Sequence, residues 1–168
     1  MERVDLRVRV LEVPDAEVPR MRVEGPDLPA TELHGCVLEA AFRTRAGTLV
    51  LTTDDCFHEE ALHISLLAPG GGWRDAYRIM HLYAPGVVGH IETGADGLAL
   101  SFHHRHRDVE IALRPRPRLA PPGAQPISTV RTMAPWKRAW LGITRPGARN
   151  DPGKPPVTDD LAKAREAS

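Results

Sequence analysis

Residues 97 to 104 read Gly-Leu-Ala-Leu-Ser-Phe-His-His, and this stretch decides the fold. Leu98, Leu100 and Phe102 recur at every second position, with Ala99 and Ser101 between them. A repeat of two is the period of a β-strand that buries one face, whereas an amphipathic helix repeats every 3.6 residues. The stretch therefore predicts a half-buried strand.

The same alternation flanks this strand on both sides. It recurs in residues 61–67, where Leu62, Ile64 and Leu66 share one parity, and in residues 109–113. Glycine-rich turns separate the segments, because glycine adopts the positive φ angles that tight turns require. Short strands divided by such turns predict an all-β, mostly antiparallel sandwich or flattened barrel of about eight or nine strands.

Residues 33–45 fit two descriptions. Cys36, Leu38, Ala40 and Phe42 alternate as in a strand, but the segment is also rich in helix-forming residues. The Ala46-Gly47 pair that follows is a turn signal, so we expect a hairpin with residues 48–53.

The N-terminal segment alternates charged and aliphatic residues and predicts one strand from Glu2 to Val13. Prolines punctuate the next twenty residues, which we expect to form a loop over 14–32. Within that loop, Met21 to Glu24 is predicted as a short strand at the edge of a sheet, where proline is tolerated.

The formal charge of zero conceals an asymmetry along the chain. Residues 1–113 contain 11 Arg against 18 Asp and Glu, a balance of −7, and residues 114–168 contain 11 Lys and Arg against 4 acids, a balance of +7. We therefore predict an acidic β domain over 1–113, a proline-rich linker over 114–127 and a basic, partly disordered tail over 128–168. A short helical turn is expected at Ala134–Trp140.

The compartment is predicted from two features. No segment approaches the roughly 18 apolar residues that span a bilayer, and none follows Met1 as a signal peptide. The two cysteines, Cys36 and Cys56, cannot form a disulfide framework. A cytoplasmic protein is expected.

A loop of concentrated carboxylates is the first candidate site. Functional interpretations are a divalent metal site or acid–base chemistry by a carboxylate whose pKa its neighbours raise. The alternative is a solvated acidic loop in which Asp54 or Asp55 makes backbone turn bonds. The candidate residues are Asp54, Asp55, Cys56, His58, Glu59 and Glu60.

A histidine pair is the second candidate. His104 and His106 would share one face of a strand, and Glu110 follows four residues later. This His-x-His…Glu spacing resembles the first metal motif of the cupin jelly rolls, and the resemblance implies a divalent transition metal held by these three residues. All eight histidines precede residue 107, so no later histidine can complete the site. His90, which precedes the pair, is the further histidine that we associate with it.

The basic tail is the third candidate. Aromatic and basic residues together could bind nucleic acid, an anionic lipid surface or a protein groove. The preferred alternative is that the segment folds back onto the acidic body and covers an apolar sheet face. The residues concerned are Arg131, Trp136, Lys137, Arg138 and Trp140.

Three functions remain open from sequence. The first and preferred one is a non-enzymatic protein-binding module without a cofactor, whose acidic body recognises a basic partner protein; exposed sheet edges also make a homodimer reasonable. The second is the cupin-like metal-dependent enzyme or sensor. The third is a small-ligand barrel lined by Phe42, Tyr77, Tyr83 and Phe102.

Overall fold

The computed structural model of the chain describes residues 1–12, 18–56, 60–80, 86–102, 109–118, 129–131 and 139–144. These residues form three antiparallel sheets of six, four and three strands, and contain no helix, so the predicted all-β antiparallel sandwich is confirmed. In chain order the strands are β1 (Glu2–Arg3), β2 (Arg7–Leu11), β3 (Arg20–Gly25), β4 (Leu28–His34), β5 (Val37–Thr44), β6 (Gly47–Thr53), β7 (Ala61–Leu67), β8 (Trp73–Met80), β9 (Ile91–Thr93), β10 (Gly97–Leu100), β11 (Val109–Arg118), β12 (Thr129–Arg131) and β13 (Ala139–Thr144).

The six-stranded sheet is the middle layer of the molecule. Its strand order is β1-β5-β6-β7-β8-β12, and every residue of β7 is buried. Leu62, Ile64 and Leu66 point to one face, while Leu67 belongs to the cluster on the other face. The alternating pattern predicted one buried face for β7, but both faces are covered because a sheet packs on each side.

The four-stranded sheet, in the order β13-β11-β10-β9, covers one face of the middle layer. Their shared core contains the residues that the alternating patterns predicted, including Leu98, Leu100 and Phe102. Burial of these apolar side chains is the dominant favourable contribution to the free energy of folding. The three-stranded sheet, in the order β2-β3-β4, covers the opposite face through Met21, Val23 and Leu33, which pack against Val50 and Leu67.

The predicted β5–β6 hairpin is confirmed, with its turn one residue earlier than expected. Thr44 pairs with Gly47, so Arg45 and Ala46 form the two-residue turn. Gly47 has a φ of 115°, and a Cβ there would lie 1.9 Å from the carbonyl oxygen of Leu67. Both the left-handed backbone and the close approach of β7 require glycine at this position.

Three expectations for the N-terminal region are corrected. The single strand predicted from Glu2 is divided between two sheets, since β1 pairs with β5 and β2 pairs with β3. β3 is the central strand of its sheet and not an edge strand. β4 lies where a loop was predicted; its Pro29 is tolerated because β4 is an edge strand, which leaves one side without ladder bonds.

The C-terminal region contributes two strands to the sheets. β11 continues through the predicted boundary at 113/114, and Pro115 and Pro117 lie where its register with β13 is irregular. β12 pairs with β8, and β13 pairs with β11. The described end of the predicted helical turn, Ala139 and Trp140, is strand instead, because pairing with β11 outweighs a weak local helix preference.

The prediction of poor order beyond residue 144 lies outside the described residues. Within the part of the chain that is described, no helix is long and apolar enough to cross a membrane.

Candidate functional site

The acidic loop after β6 is organised around the carboxylate of Glu60. Its Oε1 accepts the backbone N–H groups of Asp54 and Asp55 at 2.6 and 3.1 Å, and its Oε2 accepts that of Cys56 at 2.9 Å. Asp55 adopts a φ of 57°, which turns the chain around the carboxylate. The sequence predicted backbone turn bonds to Asp54 or Asp55; in the described part of the loop, the side chain that accepts backbone N–H groups is that of Glu60.

Asp54 forms a buried side-chain contact with His63 at the same end of the middle sheet. Its Oδ1 lies 2.8 Å from Nε2 of His63, and the two side chains are 7% and 6% exposed. Its Oδ2 lies 3.9 Å from a guanidinium nitrogen of Arg78. His63 of β7 is therefore a buried histidine whose ring contacts a carboxylate that follows β6.

His34 and Cys36 flank this pair without forming a reactive site. The exposed His34 ring stacks on His63 at a centroid distance of 5.7 Å. Loss of water from the ring face that packs on the protein, together with the neighbouring His63, lowers the pKa of His34 and favours the neutral ring. Burial and the carboxylate of Asp55 raise the pKa of the Cys36 thiol, which disfavours the nucleophilic thiolate.

Two of the four carboxylates that the sequence singled out in this loop have partners within the fold. Glu60 binds three backbone N–H groups, and Asp54 contacts His63 and Arg78. His58 and Glu59 lie outside the described residues. Among the residues that are described, no group of three histidine, cysteine or acidic side chains is arranged to hold a metal ion.

The structure describes only part of the predicted site formed by His104, His106 and Glu110. His104 and His106 lie outside the described residues, so the metal site stays a prediction. Glu110 lies in β11, where it accepts a hydrogen bond from the Thr144 hydroxyl at 3.3 Å. His90 is exposed and lies 3.4 Å from a carboxylate oxygen of Glu92.

The described strands of the predicted basic tail, β12 and β13, pair with β8 and β11 at the edges of two sheets, where the preferred prediction was that the tail covers an apolar sheet face. Trp140 lies in β13 with the guanidinium of Arg74 at 4.6 Å from its ring centroid. The buried carboxylate of Asp75 accepts the backbone N–H groups of Trp140 and Leu141 at 2.8 and 3.0 Å. Arg131 lies in β12; Trp136, Lys137 and Arg138 lie outside the described residues.

The aromatic residues proposed to line a ligand cavity are core residues. Phe42, Tyr77 and Phe102 are at most 4% exposed and belong to the cluster between the six- and four-stranded sheets. Tyr83 lies outside the described residues. A small-ligand barrel thus gains no support from these three side chains, which pack against their neighbours.

β2 is an edge strand of the three-stranded sheet, and its side chains are largely exposed. β2 pairs with β3 on one side, and no described strand pairs with it on the other. Val8 and Val10 are 42% and 53% exposed, although their partners across the ladder, Val23 and Met21, are fully buried. The face of the three-stranded sheet that packs on the middle sheet is therefore buried at β3 and exposed at β2. Val8 and Val10 continue the apolar residues of that face to the open edge.

The opposite edge of the same sheet, along β4, is protected. A Cβ at Gly71 would lie 2.7 Å from Pro29 and 3.0 Å from the Thr31 hydroxyl, so the β7–β8 turn lies against β4. Proline and a covering turn both prevent a further strand from adding there. Only the β2 side of this sheet combines accessible backbone with exposed apolar side chains.

A surface groove extends the β2 edge at its Arg7 end. It has a volume of about 660 Å³ and mixes apolar and charged walls. Leu6 and Leu28 lie on its apolar side, and Arg7 and Glu24 on its charged side. A chain lying along β2 would reach this groove at the end of the strand.

No protein-family model, curated protein sequence or solved structure matches the chain.

Proposed function

We propose that the protein is a non-enzymatic interaction module that binds an extended segment of a partner protein as an additional strand along β2. The observation that carries the proposal is the open β2 edge with its exposed valines. In strand addition, main-chain hydrogen bonds supply affinity and alternate side chains supply specificity. The five residues of β2 offer both.

The polar groups of the acidic loop favour a binding role over catalysis. The carboxylates of Asp54 and Glu60 are engaged by internal partners, and the pKa of the Cys36 thiol is raised by burial. A general base or nucleophile needs an accessible group with its pKa near the working pH. Along β2, in contrast, the side chains of Val8 and Val10 are exposed on a strand that pairs with β3.

The proposal is tested with short random peptides displayed on phage and selected on the full chain. Enriched peptides are synthesised, and their affinity is measured by fluorescence anisotropy. Val10→Lys places a charge on the apolar row of the edge and should weaken binding at least about tenfold. Amide hydrogen exchange should slow in residues 7–11 when a peptide is bound.

Val87→Lys is the matched control, because Val87 is also an exposed valine, at 65%, but lies in the segment before β9. It should leave peptide affinity unchanged. Thermal unfolding of both variants verifies that they fold. The proposal is wrong if no peptide is enriched, or if enriched peptides bind the Val10→Lys and wild-type proteins equally.

A further inference from the structure

We propose that the partner segment alternates acidic and apolar residues, with its acids over the arginines of the outer sheet face and its apolar side chains beside Val8 and Val10. This inference rests on the proposed function and specifies the chemistry of the partner.

The outward face of the three-stranded sheet is crowded with positive charge. Arg7 and Arg9 of β2 lie on the same face as Arg20 and Arg22 of β3, and Arg9 is directly opposite Arg22 in the ladder. Like charges in directly opposite positions destabilise a sheet. A negative side chain beside Arg9, on the open side of β2, would offset part of that repulsion.

The acids of this sheet leave part of the charge unmatched. β2, β3 and β4 contain four arginines and two glutamates. Glu24 pairs with Arg7 at 3.3 Å, and Glu32 pairs with Arg22 at 2.8 Å. Arg9, on the strand that borders the open edge, and Arg20, on the neighbouring β3, form no ion pair with any residue that the structure describes.

The geometry of a strand then fixes the spacing of the partner's residues. Successive side chains of a strand point to opposite faces of a sheet. A segment added beside β2 therefore places every second residue on the face of Arg7 and Arg9, and the intervening residues on the face of Val8 and Val10. Acidic residues satisfy the first face, and apolar residues extend the buried row on the second.

The same charges disfavour a second copy of the chain in two of the antiparallel registers that it could adopt. Antiparallel pairing of two β2 strands centred on Val8 places Arg7 opposite Arg9, and pairing centred on Arg9 places Arg9 opposite itself. Both arrangements bring like charges together at the new contact. The basic partner predicted from the acidic excess of residues 1–113 stays a prediction for the rest of the body; at this edge the local charge favours an acidic one.

The test uses three short peptides that share valine at alternate positions and carry glutamate, threonine or lysine between them. Their affinities for the full chain are measured by fluorescence anisotropy at low and high salt. The glutamate peptide should bind roughly three- to tenfold tighter than the threonine peptide, because each exposed ion pair contributes modestly. The lysine peptide should bind most weakly, and high salt should narrow the differences.

Charge reversal provides the second arm. Arg9→Glu should abolish the preference for the glutamate peptide over the lysine peptide, because the substitution leaves one positive and one negative side chain on this face of β2. Arg3→Glu is the control: Arg3 is also an exposed arginine in a strand, but β1 belongs to the six-stranded sheet. It should leave the order unchanged.

The outcomes separate the two proposals. If the three peptides bind the wild-type chain equally and none binds Val10→Lys, the proposal of an acidic partner is wrong and the proposal of strand addition stands. Absence of any binding overturns both. A concentration-dependent dimer that Val10→Lys dissociates, without peptide binding, also overturns both and identifies a second copy as the occupant.

Discussion

Ionisable side chains have different partners in two regions of the molecule: the buried carboxylates at the six-stranded sheet and the arginines on the outer face of the three-stranded sheet. Asp75 and Glu60 each accept three backbone N–H groups, and both are under 10% exposed. Arg9 and Arg20, by contrast, form no ion pair with a described residue. The buried carboxylates thus hold segments of the fold in place, whereas Arg9 and Arg20 lie on the outer face of the three-stranded sheet, where we propose that a partner binds.

The strongest test of this comparison is Asp75→Ala. Asp75 joins β8 to β13 by accepting the N–H groups of Trp140 and Leu141, and its removal leaves both donors without this acceptor in a buried position. We expect a loss of about 3–5 kcal/mol in the free energy of unfolding, because unsatisfied buried donors cost more than the bond contributes. Urea denaturation followed by tryptophan fluorescence measures the change.

Asp96→Ala is the control for this substitution. Asp96 is 70% exposed in its pair with Arg45, so its loss should cost no more than about 1 kcal/mol. Equal losses for the two variants would contradict the structural role assigned to Asp75.

Glu60→Ala should have the next largest effect. The three N–H groups of residues 54–56 lose their common acceptor, although water can reach part of this loop. We expect a loss of about 2–3 kcal/mol in the free energy of unfolding. Glu32→Ala, which removes an exposed surface pair with Arg22, should cost well under about 1 kcal/mol and serves as the comparison.

The ionisation of Glu60 should also affect the pH dependence of stability. Burial raises the pKa of Glu60 above its ordinary value of 4.5, and its backbone hydrogen bonds offset only part of this shift. The folded protein therefore holds this proton more tightly than the unfolded chain, so the contribution to stability falls as pH rises from 4.5 through the raised pKa and is constant above it. Glu60→Gln should remove this slope from unfolding midpoints measured across the interval, and an unchanged slope would exclude Glu60 as its source.

Much of the sandwich was predictable because alternating side chains report burial directly. Leu98, Leu100 and Phe102 occupy the core that their spacing predicted. β4 was missed because Pro29 and Pro26 outweighed its short alternation, and an edge strand tolerates proline where a central strand does not. Trp140 was assigned to a helical turn because strand pairing with β11 depends on contacts remote in sequence.

The polar clusters were less predictable than the core. The acidic loop was found from composition, but the partners of Asp54 and Glu60 depend on strand register. His63 meets Asp54 only because β6 and β7 pair with a fixed offset. The open β2 edge was equally hidden, since the alternation of Val8 and Val10 with arginine predicts a half-buried strand and does not show where the covering layer ends.

Arg9→Glu should have the smallest effect on stability, and of opposite sign. The substitution converts a like-charge pair with Arg22 into an opposite-charge pair on an exposed face. We expect the free energy of unfolding to rise by about 0.2–1 kcal/mol, the usual contribution of a cross-strand pair. Arg3 faces Phe42 across the ladder, so Arg3→Glu should give no such gain.

A variant that is more stable and yet has lost its preference for acidic peptides would mean that Arg9 is maintained at a cost to the fold, as is typical of residues that serve a binding surface. A loss of stability in Arg9→Glu would instead show that Arg9 contributes to the fold, and the distinction between interior and edge charges would fail at the residue on which it most depends.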